Sequence, residues 1–191
     1  MENLRERKKA ATRDAIERRA LQLFLERGYD GVRIDDLCAD VLVSERTFFR
    51  YYTSKEDLVL GRLRTRLTEA DQLFRRRPAD EPIADSLRRV ITEVAHDYVR
   101  EPERELVRLR LVTTTPALEA GLLTVFAGFE RLVRSFVATR LGTSADARRP
   151  RLLGAAVVAA FRVGLELWID EDGREDLPTL VVSNVDELVR R

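Results

Sequence analysis

Ser44, Glu45, Arg46, Thr47, Phe49 and Lys55 stand within twelve residues of one another and bring together two hydroxyls, a carboxylate, a guanidinium, an aromatic ring and an ammonium. Each group has a use against DNA. Arg46 can donate two parallel hydrogen bonds to a guanine edge, and Phe49 can pack on a thymine methyl. Glu45 can accept from a cytosine amino group or merely favour a helix dipole. Thr47 and Lys55 can meet phosphate oxygens, Lys55 at a helix N-terminus. Ser44 can accept from a backbone N–H in the following turn, which starts a helix and places these side chains at its leading edge.

Such side chains need a short helix held rigidly against others. The apolar positions Ile34, Leu37, Cys38, Val41, Val43, Phe48 and Tyr52 predict two short helices, near 34–40 and 44–51, with a turn-sized gap between them. They would cross a first helix over about 5–27, whose face carries Ile16, Ala20, Leu23 and Phe24 and which Gly28-Tyr29-Asp30-Gly31 stops. Three helices so arranged make a helix-turn-helix. Ser54-Lys55-Glu56-Asp57 opens a fourth, Ser54 capping and Asp57 reaching back, and Pro78 ends it. Further helices are predicted near 83–100, 103–113, 117–141, 147–170 and 177–190, with Pro82, Pro102, Pro116, Pro150 and Pro178 near their starts. The fold class is all-α with about nine helices: a DNA-binding unit over 1–56 and a helical bundle for ligand binding and dimerisation over 57–191.

The run from Ser44 to Leu58, SERTFFRYYTSKEDL, resembles the signature of the TetR family of repressors. The resemblance covers the first 60 residues firmly and the rest through helix number and length. It implies phosphate or base contacts at Glu45, Arg46, Thr47, Phe49, Tyr51 and Lys55, with Phe48 and Tyr52 anchoring the recognition helix. The chain departs from the family pattern at Arg33, Cys38 and Leu42, where Thr, Ala and Gly are usual. A lost Thr cap costs on the order of 1 kcal/mol, and Leu at positive φ costs a similar amount. Arg33 either offsets part of this by meeting a phosphate or is a solvated side chain.

Residues 1–56 hold twelve basic and eleven acidic side chains, so any favourable field must be local. Arg5, Arg7, Lys8, Lys9 and Arg13 cluster at the start, either as an arm adding phosphate or minor-groove contacts or as a solvated terminus.

In the C-terminal half, the helix through Val157, Val158 and Phe161, with Ala155, Ala156, Ala159, Ala160 and Gly164, is apolar around most of its circumference, which implies burial on several sides. A second stripe follows at Leu177, Leu180, Val181, Val185 and Leu188. The expected dimer interface is Leu152, Ala155, Ala156, Ala159, Val163, Leu177, Val181, Val185 and Leu188, from two helices pairing with their symmetry mates as a four-helix bundle. The alternative is that both helices are core of one subunit.

A pocket among the intervening helices would draw on residues such as Phe74, His96, Tyr98, Leu111, Phe126, Phe129 and Phe136, although each aromatic taken singly reads as core before it reads as lining. Thr115-Pro116-Ala117-Leu118 with Phe126, Phe129-Glu130 and Trp168 resembles the C-terminal domain of an actinobacterial TetR subgroup associated with acyl-CoA-like ligands. That resemblance implies an apolar tail among these helices and phosphates near Arg104, Arg108 or Arg110.

One His and one Cys, with no Gly-rich phosphate loop, leave little from which to build an enzyme, a metal site or a cofactor site. Cys38 is the single cysteine, so no internal disulfide forms; the charged N-terminus lacks a signal-peptide core and the chain is expected in the cytoplasm. The longest apolar run, Leu152 to Phe161, is about half the roughly 20 residues of a membrane span. The expected partners are double-stranded operator DNA, a second copy of the chain and a small apolar or amphipathic effector, with no membrane. The reading is a ligand-responsive repressor on a palindromic operator; the alternative is a regulator with the same head, activator or constitutive repressor, and no effector.

Overall fold

The computed structural model describes residues 4–189 and shows, among them, nine helices and no strand. These are α1 (Leu4–Arg27), α2 (Ile34–Asp40), α3 (Glu45–Phe49), α4 (Lys55–Arg75), α5 (Ile83–Tyr98), α6 (Pro102–Thr114), α7 (Pro116–Leu141), α8 (Arg148–Asp170) and α9 (Leu177–Val189). The fold is all-α as expected, and every end lies within two residues of its sequence-based position. Local chemistry explains the stops. α1 ends at Gly28, whose φ of +75° is open to glycine and strained for other residues. α6 and α7 begin on Pro102 and Pro116, where the missing N–H has no helical partner to lose.

The described residues pack as two compact units. The first runs through Arg62 and takes in Val107–Glu119; the second comprises Leu63–Leu106 and the described residues from Ala120 onward. The first unit therefore reaches past the expected limit at residue 56 and recruits most of α6. Its core holds the predicted α1 face, Ile16, Ala20, Leu23 and Phe24, together with Leu37, Phe48, Tyr52 and Leu58, all buried.

In the second unit α9 packs on α5 and α8. Gly164 permits the approach, because a Cβ there would stand 2.7 Å from Val181 Cγ1. Asn184 Nδ2 donates to Ala160 O at 3.1 Å, and Arg88 Nε donates to Asp186 Oδ1 at 2.7 Å. This packing consumes Leu177, Val181 and Val185, which are buried within their own chain. Those three are corrected from the expected dimer surface: the α9 stripe covers α5 and α8 rather than a symmetry mate. Leu152, Ala155, Ala159, Val163 and Leu188 do remain exposed, and Ala156 is half-buried.

By composition α8 is long and apolar enough to cross a bilayer, with mean hydropathy 1.8 over its best window, although its longest apolar run had argued against a span. Val157, Ala160, Gly164, Leu165 and Trp168 are buried in the unit, while Arg162 and Glu166 pair at 3.5 Å on the outside. That is the pattern of a core helix with one open face.

Candidate nucleic-acid interface

α3 is a single turn and a half whose orientation is fixed at both ends. Ser44 Oγ accepts from Thr47 N–H at 3.2 Å and lies 3.0 Å from Thr47 Oγ1, so the cap foreseen in the sequence forms. After Phe49 the chain leaves the helix in a turn, with Tyr51 N–H and Tyr52 N–H both donating to Phe48 O at 2.8 and 3.0 Å. Phe48 is fully buried and meets Tyr52 at a ring distance of 5.7 Å. Glu45, Arg46 and Phe49 point outward, Phe49 half-exposed at 51%, and Thr47 and Tyr51 are half-buried. The structure thus brings Ser44, Glu45, Arg46, Thr47 and Phe49 onto one accessible turn. Arg50, absent from the sequence-based set, stacks on Tyr51 with Cζ 4.9 Å from the ring centre and donates to its hydroxyl at 2.9 Å.

The turn before α3 carries the departures from the family pattern. Val43 N–H donates to Cys38 O at 3.0 Å and Leu42 N–H to Ala39 O at 3.3 Å, the hydrogen-bond pair of a Schellman cap on α2. That cap needs a left-handed residue, and Leu42 supplies it at φ +55° while standing 92% exposed. Arg33 precedes α2 as its N-cap, where Asp36 Oδ2 accepts from the Arg33 N–H at 3.4 Å. The Arg33 side chain is exposed and donates to Asp35 at 3.1 Å, a contact that holds the Asp35 carboxyl below the usual carboxylate range. Cys38 is buried, and that burial pushes its thiol up. α1 and α2 are further linked by Arg19 and Asp40, with Arg19 Nη2 at 3.1 Å from Asp40 Oδ1.

Two expected contacts take other roles. Lys55 Nζ donates to Tyr29 O at 2.8 Å and Val32 O at 3.1 Å and sits 4.3 Å from the Tyr29 ring centre. The ammonium expected on a phosphate is instead a strut between the start of α4 and the loop after α1. The Tyr29 hydroxyl is pushed up to about 12, by burial first and by Glu56 and Asp30 next. Arg108, expected near ligand phosphates, is fully buried. Its Nη1 donates to Leu58 O at 3.1 Å and Val59 O at 2.8 Å, and its Nη2 donates to Glu17 Oε1. Glu17 Oε2 in turn faces the Tyr52 hydroxyl at 3.2 Å, and Arg13 O lies 3.1 Å from the same hydroxyl. Burial, then the Glu17 charge, raises the Tyr52 phenol. Glu17 and Arg13 were invisible as partners in the sequence, where no local pattern ties them to Tyr52.

The other expected pocket residues divide between the units. Leu111 lies in the first and is buried. In the second, Phe74 packs on Phe136 with ring centres 4.8 Å apart, and Phe126 and Phe129 are half-buried. Tyr98 lies beneath the buried Arg66, whose Cζ is 3.6 Å from the ring centre and which binds Asp97 and Glu105, each at 2.7 Å. Trp168 is buried, and its indole Nε1 has no hydrogen-bond partner among the described residues. Of the basic N-terminal cluster, Arg7, Lys8 and Lys9 are exposed residues of α1, which begins at Leu4. Met1 to Asn3 and the side chain of Arg5 lie outside the described residues.

A family model for bacterial regulatory proteins of the TetR family matches residues 16–61, and a model of the MftR C-terminal domain matches residues 81–191. The HTH-type transcriptional regulator TcmR of Streptomyces glaucescens is 33% identical over 177 residues, covering 86% of this chain and 76% of that protein. A Mycobacterium tuberculosis protein named as the mycofactocin biosynthesis transcriptional regulator MftR is 26% identical over 166 residues, covering 87% of this chain and 84% of its own. Among solved structures, the transcriptional regulator FadR of Bacillus subtilis, in complex with stearoyl-CoA, shares the fold at a TM-score of 0.65 and 16% identity, over 92% of this chain and 96% of that one. One family match spans the helix-turn-helix and the other more than half of the chain, and the relatives are regulators rather than enzymes: this protein belongs to the TetR family of bacterial transcriptional regulators.

Proposed function

We propose that the chain is a cytoplasmic, homodimeric repressor that holds a palindromic operator through α3 and is released by an amphipathic, acyl-CoA-like effector. The observation that carries this reading is the capped, outward-facing turn of α3, with Glu45, Arg46 and Phe49 accessible while Phe48 and Tyr52 are buried behind them. In this reading Arg46 and Phe49 read base edges, Ser44, Thr47 and Tyr51 meet the backbone, and Arg33 adds a phosphate contact from the start of α2.

Dimerisation is supported by the outer face of α8. Leu152, Ala155, Ala159, Val163 and Leu167 follow one another at spacings of three and four and are all exposed, with Leu188 of α9 exposed as well. An apolar stripe of this kind on a soluble helix marks a contact surface, and a two-fold protein suits a palindromic site.

An acyl-CoA-like effector is supported by the fold shared with the stearoyl-CoA complex of FadR.

Selection of bound duplexes from a random DNA pool tests the operator reading. Enrichment of an inverted repeat is expected, and recovery of no sequence above the input would defeat it. Arg46→Ala is expected to cost roughly 1–3 kcal/mol and to relax preference at one base pair. Stearoyl-CoA titrated into the protein–DNA complex is expected to change the emission of the single tryptophan and to release the duplex. Unchanged emission with the complex intact would remove this effector class.

A further inference from the structure

Arg108 lies outside the helix-turn-helix motif, yet its fixed geometry converges on the element that orients α3. We infer that Arg108 is a positioning residue for DNA binding, acting through Glu17 and Tyr52; this inference rests on the operator-binding reading above.

The path is short and continuous. The guanidinium is fully buried, and Nη1 is committed to the carbonyls of Leu58 and Val59 at the start of α4, at 3.1 and 2.8 Å. That fixes the plane of the fork, so Nη2 meets Glu17 Oε1 from one direction only. Held there, the Glu17 carboxylate presents Oε2 to the Tyr52 hydroxyl at 3.2 Å. The Tyr52 ring packs on Phe48 at 5.7 Å, and Phe48 meets Phe49 edge-on at 5.2 Å with the planes at 90°. Phe48 is the buried residue of α3, and Phe49 is its exposed neighbour. A cation on α6 is thereby linked to the tilt of the recognition turn through one carboxylate and one phenol.

The residue types suit positioning rather than bulk packing. A planar fork fixes a carboxylate bidentately or in register with carbonyls, which a single ammonium cannot reproduce. Arg108 makes these bonds across 49 to 91 residues of sequence, so they set the relative placement of α1, the start of α4 and α6 within the first unit.

The test uses the full-length chain and a duplex enriched by the wild-type protein from a random pool. Arg108→Lys, Tyr52→Phe and their double variant are measured for duplex affinity and salt dependence, well below each unfolding midpoint. Arg108→Lys and Tyr52→Phe are each expected to weaken binding by roughly three- to thirtyfold, and the double variant by less than the product of the two losses, as for residues on one path. The salt slope should stay at the wild-type value, since no phosphate contact is removed. Where Arg108→Lys does not fold, Tyr52→Phe, which removes only one hydroxyl, and Glu17→Gln form the pair. A role confined to stability would lower the midpoints and leave the affinity of the folded protein intact. That result, losses that multiply independently, or a salt slope reduced by about one would each overturn the inference. Failure of the wild-type protein to enrich any duplex would instead overturn the operator-binding reading itself.

Discussion

Leu42→Gly isolates the cost of the turn between α2 and α3. Leu42 holds φ at +55° to complete the α2 cap and is 92% exposed, so its side chain contributes almost no burial that glycine would forfeit. The left-handed conformation costs an L-residue roughly 1–2 kcal/mol. Glycine removes that strain but surrenders about 0.5–1 kcal/mol through the greater freedom of its unfolded chain. The expected net gain is about 0.5–1 kcal/mol, which for a chain of this size is an increase of roughly 1–4 °C in midpoint. Thermal unfolding followed by circular dichroism reads this, at one protein concentration throughout because association shifts apparent stability. Leu42→Ala serves as the control: it keeps the β-carbon and so should gain nothing. A glycine variant no more stable than wild type, or an alanine variant that gains equally, would refute strain as the property of this turn.

Lys55→Ala should cost about 1–2 kcal/mol of stability, since it strips a charged donor from the carbonyls of Tyr29 and Val32, and should leave the salt slope of DNA binding unchanged. A slope reduced by about one would return the ammonium to a phosphate. Ala159→Arg places a charge in the middle of the exposed α8 stripe and should yield monomers in sedimentation velocity; persistence of a dimer at micromolar concentration would exclude that face. Asp40 is held below the usual carboxylate range, chiefly by its bond to Arg19. Its contribution is therefore fully present above the ordinary carboxylate value and is lost as pH falls through the lowered value of the folded state, so Asp40→Asn should unfold below wild type at pH 7 and converge with it in acid; a gap independent of pH would show that the ion pair is not responsible.

The helices were legible because their signals are local. Caps, prolines and three-and-four spacing act within a turn or two, and Ser44 and Ser54 do what their neighbours imply: Ser54 Oγ accepts from Asp57 N–H at 3.1 Å. Asp57 also reaches back, its Oδ2 accepting from Thr53 N–H at 3.1 Å. The strain at Leu42 was likewise readable, since one residue type and one turn decide it. What the sequence hid were choices between distant partners. The pattern of an ammonium at a helix start is the same whether it faces a phosphate or the carbonyls of Tyr29 and Val32. A stripe such as Leu177, Val181 and Val185 looks alike whether it covers its own α5 and α8 or a second copy. Arg108 and Glu17 are 91 residues apart, so only the tertiary fold reveals that the cation is already satisfied.

The placement of Val107–Glu119 with the helix-turn-helix bears on any attempt to exchange this head between regulators. A chimera joined at a single point after α3, or within α4, would import α1 to α3 while leaving behind the segment that neutralises Glu17 and closes over the α4 carbonyls. The transplanted head would then carry a half-buried Glu17 carboxylate stripped of its guanidinium and left with the Tyr52 hydroxyl, and grafting Val107–Glu119 alongside it is the condition for a working exchange.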